Sequence, residues 1–264
     1  MRAGIAVPSG GPVGTATGPV PTLLGVWAHP DDEAHLSAGL LASAVDAGWR
    51  VVIATATRGE VGTDDPDGCP PEVLSRVRGR ELVDSLAVLG VHEHRWLRAT
   101  RPLGDGRLAA VPEEAGVRAV ADVLVDVRPD LVVTFGPDGL TGHSDHRTVS
   151  RWVTRAREHV ASRAALWYAA LTPEFLDRWG EVCAEQEVWM DDGPPAPVDP
   201  ADLVHVHRCS GALLDRKYAS LVAHASQTAA LIERVGEQRY RQWWSTEAFV
   251  AAPPVADALA RAVA

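Results

Sequence analysis

Short apolar runs alternate with longer segments of helical periodicity along residues 23–160 of the 264-residue chain. Each run has the length of a strand buried on both faces, and the runs cover residues 23–28, 50–56, 93–98 and 131–135. Apolar residues recur at helical spacing in the intervening and following segments, which cover residues 32–47, 72–89, 117–127 and 149–160. This alternation predicts an α/β fold with a mostly parallel, Rossmann-like sheet and helices on both faces. In the second helix we expect Val73, Val77 and Leu82 on the buried face, with Gly90 as its cap.

The pattern is less regular after residue 160. It predicts a strand over residues 164–170, a short helix over 172–180, a strand over 203–207 and a long helix over 213–235. Residues 191–200 are rich in Pro, Gly and Asp and are predicted to form a loop. The long helix carries Lys217, His224 and Gln227, and the pattern fits equally well with surface positions and with functional ones.

Composition narrows the class of protein. A formal charge of −10 argues against nucleic acid as a partner, because phosphate binding requires a basic surface. The three cysteines, Cys69, Cys183 and Cys209, are far apart and form neither a disulfide framework nor a Cys-x-x-Cys site, which favours a reducing, cytoplasmic setting.

Residues 1–20 are rich in Gly and Pro and are expected to form a flexible leader. No run approaches the ~20 apolar residues of a membrane-spanning helix, so we expect no membrane span.

Two strongly polar clusters follow the carboxyl ends of the first and fourth predicted strands. The first, AHPDDEAH over residues 28–35, places His29 and three carboxylates within five consecutive positions, and the second is GPDGLTGHSDH over residues 136–146. Neighbouring carboxylates repel each other and resist joint desolvation, so a bound cation is the natural resolution. If the two strands are neighbours, both clusters face one crevice at the switch point of the winding, where α/β sheets bind ligands.

Two imidazoles and one carboxylate, with a position left open for water, form a catalytic zinc arrangement. We assign His29, Asp32 and His146 as the metal ligands. Asp31 is adjacent but unbound, so it can accept a proton from a metal-held water whose pKa the metal lowers toward neutrality. Imidazole and carboxylate also suit other first-row metals, so Fe²⁺ in the cell stays open beside Zn²⁺.

His143 and Asp145 precede the third ligand by three residues and one residue. His143 can face the same cavity without binding the metal, where it can stabilise a developing oxyanion or donate a proton to a leaving group. Asp145 can orient or charge one of the imidazoles. A metal, a carboxylate base and a further imidazole together suit the hydrolysis of an amide or an ester.

Three motifs, in order, resemble the zinc-dependent N-deacetylases of the PIG-L, or LmbE-like, family. They are AHPDDE after the first strand, TRGEVGT after the second and PDGLTGHSDHR after the fourth. The family includes the N-acetylglucosaminyl-phosphatidylinositol de-N-acetylases and the deacetylases of the mycothiol and bacillithiol pathways. The resemblance runs from about residue 23 to 160, and KYASLVAHASQ over residues 217–227 is similar to the bacterial members. It implies zinc on His29, Asp32 and His146, Asp31 as the general base, and His143 as the electrostatic or acid partner.

The resemblance has further implications for the rim of the site. It implies a substrate contact by Arg78, the first residue of the segment RGREL, and a supporting role for Glu33. After residue 97 the chain reads LRATRPLGDG and departs from the aspartate-glycine strand end that is frequent in the family. The implied organisation is one deacetylase domain over residues 21–264, in which residues 200–264 wall the site.

We therefore predict a metal-dependent hydrolase that removes an N-acyl group, with acetyl as the first expectation, from an amino-sugar-containing small molecule or glycoconjugate. The alternative is an amidase that cleaves a larger acyl group from a thiol conjugate or a glycopeptide. A non-catalytic α/β binding module is a third reading, but its marks, a glycine-rich phosphate loop or a broken ligand set, are not in the sequence. A homo-oligomer is left open.

Overall fold

The computed structural model describes residues 20–63, 65, 67–160, 162–190 and 193–254. Apart from its last residue, the predicted leader over residues 1–20 lies outside these ranges. The strands are β1 (Thr22–Trp27), β2 (Arg50–Thr55), β3 (Glu93–Trp96), β4 (Leu131–Phe135), β5 (Ala165–Ala169), β6 (Leu203–Arg208) and β7 (Thr246–Ala251). The α-helices are α1 (Asp32–Leu36), α2 (Ala38–Asp46), α3 (Pro71–Leu89), α4 (Glu113–Val127), α5 (Ser144–His159), α6 (Pro173–Glu185), α7 (Gly211–Ala223), α8 (Ala225–Val235) and α9 (Glu237–Trp243).

The seven strands form one sheet in the order β3-β2-β1-β4-β5-β7-β6. The first five are parallel to one another, whereas β7 runs antiparallel to both β5 and β6. The predicted α/β fold, with a mostly parallel sheet and helices on both faces, is confirmed. Since β1 pairs with β2 on one side and with β4 on the other, the winding reverses between β1 and β4. The carboxyl ends of these two strands therefore border the crevice where ligands bind in such sheets.

The centre of the sheet is buried on both faces, which explains why its strands read as nearly continuous apolar runs. Every residue of β1 and β4 is buried. On one face α4 packs against α5, where Trp152 is fully buried. A Cβ at Gly116 would lie 2.0 Å from the Trp152 indole, so only glycine allows the two helices to approach this closely.

Two predicted helices differ from the observed ones near the site. The segment 32–47 forms two helices, because Ser37 leaves helical geometry and its Oγ donates a hydrogen bond to the Glu33 carbonyl at 3.0 Å. In α3 the inward placement of Val73 is wrong: its side chain is 39% exposed, while Leu74 is buried. The buried face of α3 also includes Arg78. The hydrophobic pattern did not predict a charged residue on this face.

The C-terminal part adds elements that the sequence pattern does not reveal. The predicted helix over residues 213–235 is α7 and α8, which meet at His224. The strand β7 was not predicted, and it inserts between β5 and β6 with Glu247 buried in its course. None of the described helices is both long and apolar enough to cross a membrane.

Candidate metal centre

The two polar motifs meet at the carboxyl edge of the sheet. The first loop leaves β1 and is anchored at its start, where the backbone N–H and the hydroxyl of Thr57 both donate to the Ala28 carbonyl. The second loop leaves β4 and ends at the start of α5. The His146 ring stacks on Phe135, the last residue of β4, with ring centroids 4.0 Å apart and an interplanar angle of 10°. The first loop is thus fixed to the segment that follows the neighbouring strand β2, and the second loop to the strand that it follows.

His29, Asp32 and His146 form a compact, buried triangle of donor atoms. The distance from His29 Nδ1 to His146 Nε2 is 3.3 Å, and the Asp32 oxygens lie 3.3 Å from His146 Nε2 and 3.7 Å from His29 Nδ1. A tetrahedral zinc ion with bonds of about 2.0–2.1 Å requires ligand atoms about 3.3–3.4 Å apart. The three predicted ligands are therefore already spaced for one small divalent cation.

The hydrogen bonds of the two rings fix which nitrogens are free. His146 Nδ1 lies 3.0 Å from the Gly139 carbonyl, which can only accept, so Nδ1 carries the proton and Nε2 has a lone pair. His29 Nε2 faces carboxylate oxygens of Asp105 and Asp145, at 3.0 Å and 3.3 Å, so Nε2 is protonated and Nδ1 is the free atom in the neutral ring. These two nitrogens lie 3.3 Å apart beside the Asp32 carboxylate. Two imidazole nitrogens and a carboxylate oxygen form a donor set that fits a divalent metal.

The charge balance of the centre leads to the same conclusion. Burial alone lowers the pKa of His29, but hydrogen bonds with Asp105 and Asp145 and the charge of nearby carboxylates raise this pKa to about 10. Burial raises the pKa of Asp32 to about 7, against the opposing charge of His29. Without a metal, His29 therefore holds a second proton at Nδ1, and a cation bound there would take the place of that proton.

A second group of possible ligands shares His29 with the first and adds His143 and Asp145. In this group Asp145 already uses both carboxylate oxygens, which accept hydrogen bonds from the backbone N–H groups of Gly106 at 2.7 Å and Leu108 at 3.0 Å. Its side chain is fully buried. The geometry therefore favours the first triangle as the metal-binding set, with Asp145 behind His29.

His143 faces the candidate centre without belonging to the triangle. Its ring centroid lies 4.9 Å from that of His29 and 4.8 Å from that of His146. Its Nδ1 accepts the backbone N–H of Asp145 at 3.1 Å, so the neutral ring carries its proton on Nε2. Burial and the charge of His29 lower the pKa of His143, which favours this neutral form. A neutral imidazole with a free N–H is suited to donating a hydrogen bond to an oxyanion.

Asp31 and Arg78 lie side by side on the wall of the same cavity. The Arg78 guanidinium is 4% exposed and donates to the Pro30 carbonyl at 2.6 Å, to the Gly59 carbonyl at 2.9 Å and to Asp31 Oδ1 at 3.2 Å. These contacts tie Arg78 to the loops that carry AHPDDE and TRGEVGT. Gly59 has a φ of 65°, and a Cβ there would lie 2.3 Å from the guanidinium, which explains the glycine in the second motif.

The cavity over the centre has a polar side and an apolar side. Arg78, Asp105 and Gln227 stand on the polar side, and the Gln227 amide donates to the Gly62 carbonyl at 3.0 Å. The apolar lining comes from Leu36, Leu140, Val188, Met190, Leu231 and Trp244. Residues of α8 and of the segment after α9 thus contribute to the wall.

One contact residue of the site, Asp105, was missed by the sequence analysis. The LRATRPLGDG segment departs from an aspartate-glycine pair at the strand end, yet its loop returns to the centre and brings Asp105-Gly106 there several residues later. Although burial raises the pKa of Asp105, the hydrogen bond with His29 lowers it to about 2. The available signal was an aspartate between two glycines, Gly104 and Gly106, in a loop that follows a parallel strand at this edge.

Comparison with known proteins places the chain in a family. The family model described as PIG-L: GlcNAc-PI de-N-acetylase matches residues 24–157, just over half of the chain. The chain belongs to the PIG-L family. The match covers β1 to β4 and most of α5, so it includes all the polar motifs of the PIG-L centre described above.

Curated relatives of this PIG-L protein are deacetylases. The 1D-myo-inositol 2-acetamido-2-deoxy-alpha-D-glucopyranoside deacetylase of Kineococcus radiotolerans is 33% identical over 249 residues, covering 78% of this chain and 68% of the relative. The enzyme of the same name from Acidothermus cellulolyticus is 30% identical over 258 residues, covering 84% of this chain and 86% of the relative. Among solved structures, the N,N'-diacetylchitobiose deacetylase from Pyrococcus horikoshii aligns with a TM-score of 0.57 at 17% identity, covering 88% of this chain and 84% of that one. This last likeness concerns the fold.

Proposed function

We propose that the protein is a zinc-dependent N-deacetylase that removes the acetyl group from an N-acetylglucosamine unit of a small glycoconjugate, such as its inositol glycoside. The donor triangle carries the proposal, because its 3.3 Å spacings suit a tetrahedral ion. The names of the curated relatives supply the substrate class, since both are deacetylases of a 2-acetamido sugar linked to inositol.

His29 Nδ1, Asp32 and His146 Nε2 would hold the metal. Zinc bound there would supply a Lewis acid for the amide oxygen and lower the pKa of a water molecule. Asp105 and Asp145 accept the Nε2–H of His29, which directs Nδ1 toward the metal and raises its basicity as a ligand. Loss of either carboxylate therefore acts on the metal through His29.

Asp31 is the proposed general base. It accepts a proton from the attacking water, and its position beside Arg78 keeps its carboxylate on the cavity wall. His143 donates its Nε2–H to the oxygen that becomes negative as the carbonyl carbon turns tetrahedral. The proton taken by Asp31 then passes to the leaving nitrogen, so the products are acetate and a free amino sugar.

Arg78 is proposed to contact the substrate from the polar side of the cavity. Its side chain lines the cavity beside Asp31, where its terminal nitrogens bind protein oxygens. A sugar hydroxyl at this wall is a suitable acceptor for a guanidinium N–H. The same guanidinium also orients Asp31, so Arg78 acts both on the substrate and on the proposed base.

A substrate screen tests the proposal. The zinc-loaded protein is incubated with free N-acetylglucosamine, its inositol glycoside, N,N'-diacetylchitobiose and long-acyl glucosamine, and released acid and amine are measured by mass spectrometry. We expect acetate release, fastest from the inositol glycoside. Preferential cleavage of the long-acyl amide would replace this proposal with the larger-acyl amidase.

A matched pair of variants tests the metal set. Replacing His146 with Ala removes a ligand, so zinc content measured by elemental analysis should fall well below one ion per chain. Replacing His205 with Ala, on the edge strand β6, is the control and should leave zinc content unchanged. Full zinc retention by the His146→Ala variant would remove this residue from the ligand set.

A further inference from the structure

The proposed base occupies an unusual backbone conformation. Asp31 has a φ of 108° and a ψ of −23°, in a region that residues with a side chain rarely adopt. Such a residue persists only where its surroundings over-determine it. The hydrogen bonds around Asp31 are therefore expected to hold it there.

Glu33 is the group that holds the amide of Asp31. Its Oε2 accepts the backbone N–H of Asp31 at 3.1 Å, two residues earlier in the chain. Its Oε1 accepts from His224 Nε2 at 2.8 Å and from the Ser85 hydroxyl at 3.3 Å. Glu33 is fully buried. Through these hydrogen bonds its carboxylate connects the backbone of Asp31 to side chains from distant parts of the chain.

His224 is fixed where α7 meets α8, 191 residues after Glu33. Its carbonyl accepts the backbone N–H of Thr228 at 3.0 Å and the Thr228 hydroxyl at 3.1 Å, and its side chain is fully buried. The second ring nitrogen, Nδ1, has no hydrogen-bond partner among the described residues. Within the described part of the chain, the hydrogen bond to Glu33 is therefore the only one that this buried ring makes, and a residue that served only to stabilise the helix would not require it.

We propose that the buried Glu33–His224 pair is a positioning element that keeps the backbone of Asp31 in its left-handed conformation and so aims the carboxylate at the attacking water. The inference rests on the proposed function, in which Asp31 takes a proton from water. The His224 side chain is fully buried and lies outside the lining of the cavity. It acts through Glu33, whose two oxygens bind the His224 ring and the Asp31 amide separately.

The test compares two replacements of His224 in the zinc-loaded, full-length protein. Leu cannot donate a hydrogen bond to Glu33, whereas Gln places an amide N–H near the position of Nε2. We expect His224→Leu to lower kcat for acetate release about 10- to 100-fold, the scale of a misplacement of about 1 Å in an active site. KM and the zinc content should be unchanged, and His224→Gln should recover most of the lost rate.

Thr228→Val is the matched control. It removes the hydroxyl donor that the Leu221 and His224 carbonyls share at the same helix junction but leaves the contact between His224 and Glu33 in place. It should lower Tm and keep kcat. An equal loss of kcat in Thr228→Val would show that the effect is one of stability, and it would overturn the proposal.

A double-mutant cycle separates positioning from other effects. If His224 acts through Asp31, His224→Leu should cause no further loss in the residual rate of an Asp31→Asn protein. A full additional loss in that background, or an unchanged kcat in the single variant, would contradict the inference.

Should His224→Leu fail to fold, His224→Asn removes the same contact with a shorter amide, and the same two outcomes apply. A wild-type protein that releases no acid from any substrate would instead refute the proposed function itself.

Discussion

Replacing Glu247 with Gln should destabilise the protein strongly, because it removes the counter-charge of a lysine that has no access to water. Lys217 Nζ lies 2.5 Å from Glu247 Oε1 and 2.8 Å from the His35 carbonyl, and both side chains are fully buried. Glu247 also accepts the backbone N–H groups of Gly39 at 2.7 Å and Leu40 at 2.9 Å, at the start of α2.

The magnitudes expected for the two partners differ. Removing one member of a buried ion pair costs about 3–5 kcal/mol, and in Glu247→Gln the remaining ammonium keeps only the His35 carbonyl and a neutral amide. In Lys217→Met the carboxylate keeps two N–H donors and the favourable end of a helix, so we expect a smaller cost of about 1–3 kcal/mol. The double variant buries no charge, and it should be more stable than Glu247→Gln.

Urea and thermal unfolding measure these differences. For a chain of this size, the larger cost corresponds to a fall in Tm of about 6–20 °C. A Glu93→Gln variant, which breaks the half-exposed pair with Arg50, is the control and should lose about 0–1 kcal/mol. If Glu247→Gln is as stable as that control, or if the double variant is the least stable of all, the buried pair does not carry the role assigned to it.

Three further predictions concern the site. Asp105→Asn should raise the zinc dissociation constant about 10- to 100-fold in a chelator competition, because it weakens the support of His29. Asp122→Asn, an equal charge change on the exposed face of α4, should leave this constant unchanged, and equal effects of the two variants would refute the support of His29 by Asp105. Gly59→Ala should lower stability more than Gly48→Ala, since both positions have positive φ but only the first Cβ clashes, 2.3 Å from the Arg78 guanidinium; equal losses would show that φ alone matters. Burial lowers the pKa of His224, but the charge of Glu33 outweighs this effect and raises the pKa above its usual 6.5. The stability difference between wild type and His224→Gln should therefore be fully present below about pH 6.5 and decline as the pH rises through the raised pKa. A difference that grows with pH would contradict that charge state.

The fold class and the grouping of the candidate metal ligands were accessible from the sequence because both depend on local features. Buried parallel strands are continuous apolar runs, and His29 and His146 follow such runs within a few residues. The neighbouring positions of β1 and β4 then bring the two loops together without further information about side chains.

The remaining parts depend on contacts between distant residues. Lys217 and His224 read as possible surface positions on a helix, and only their buried acidic partners, Glu247 and Glu33, show otherwise. Strand β7 was missed because its charged Glu247 interrupts a short apolar run. Asp105 was missed because the path of a loop, and not its length or composition, decides where its side chain lies.

The most direct test of the central claim is the rate of acetate release from the inositol glycoside of N-acetylglucosamine by the zinc-loaded protein and its Asp31→Asn variant, with zinc content measured on the same samples. The account predicts that the wild-type protein releases acetate and that the variant keeps its zinc while losing about 10²- to 10⁴-fold in kcat, the usual contribution of a general base. Equal rates in the two proteins would contradict the assignment of Asp31 and, with it, the proposed mechanism.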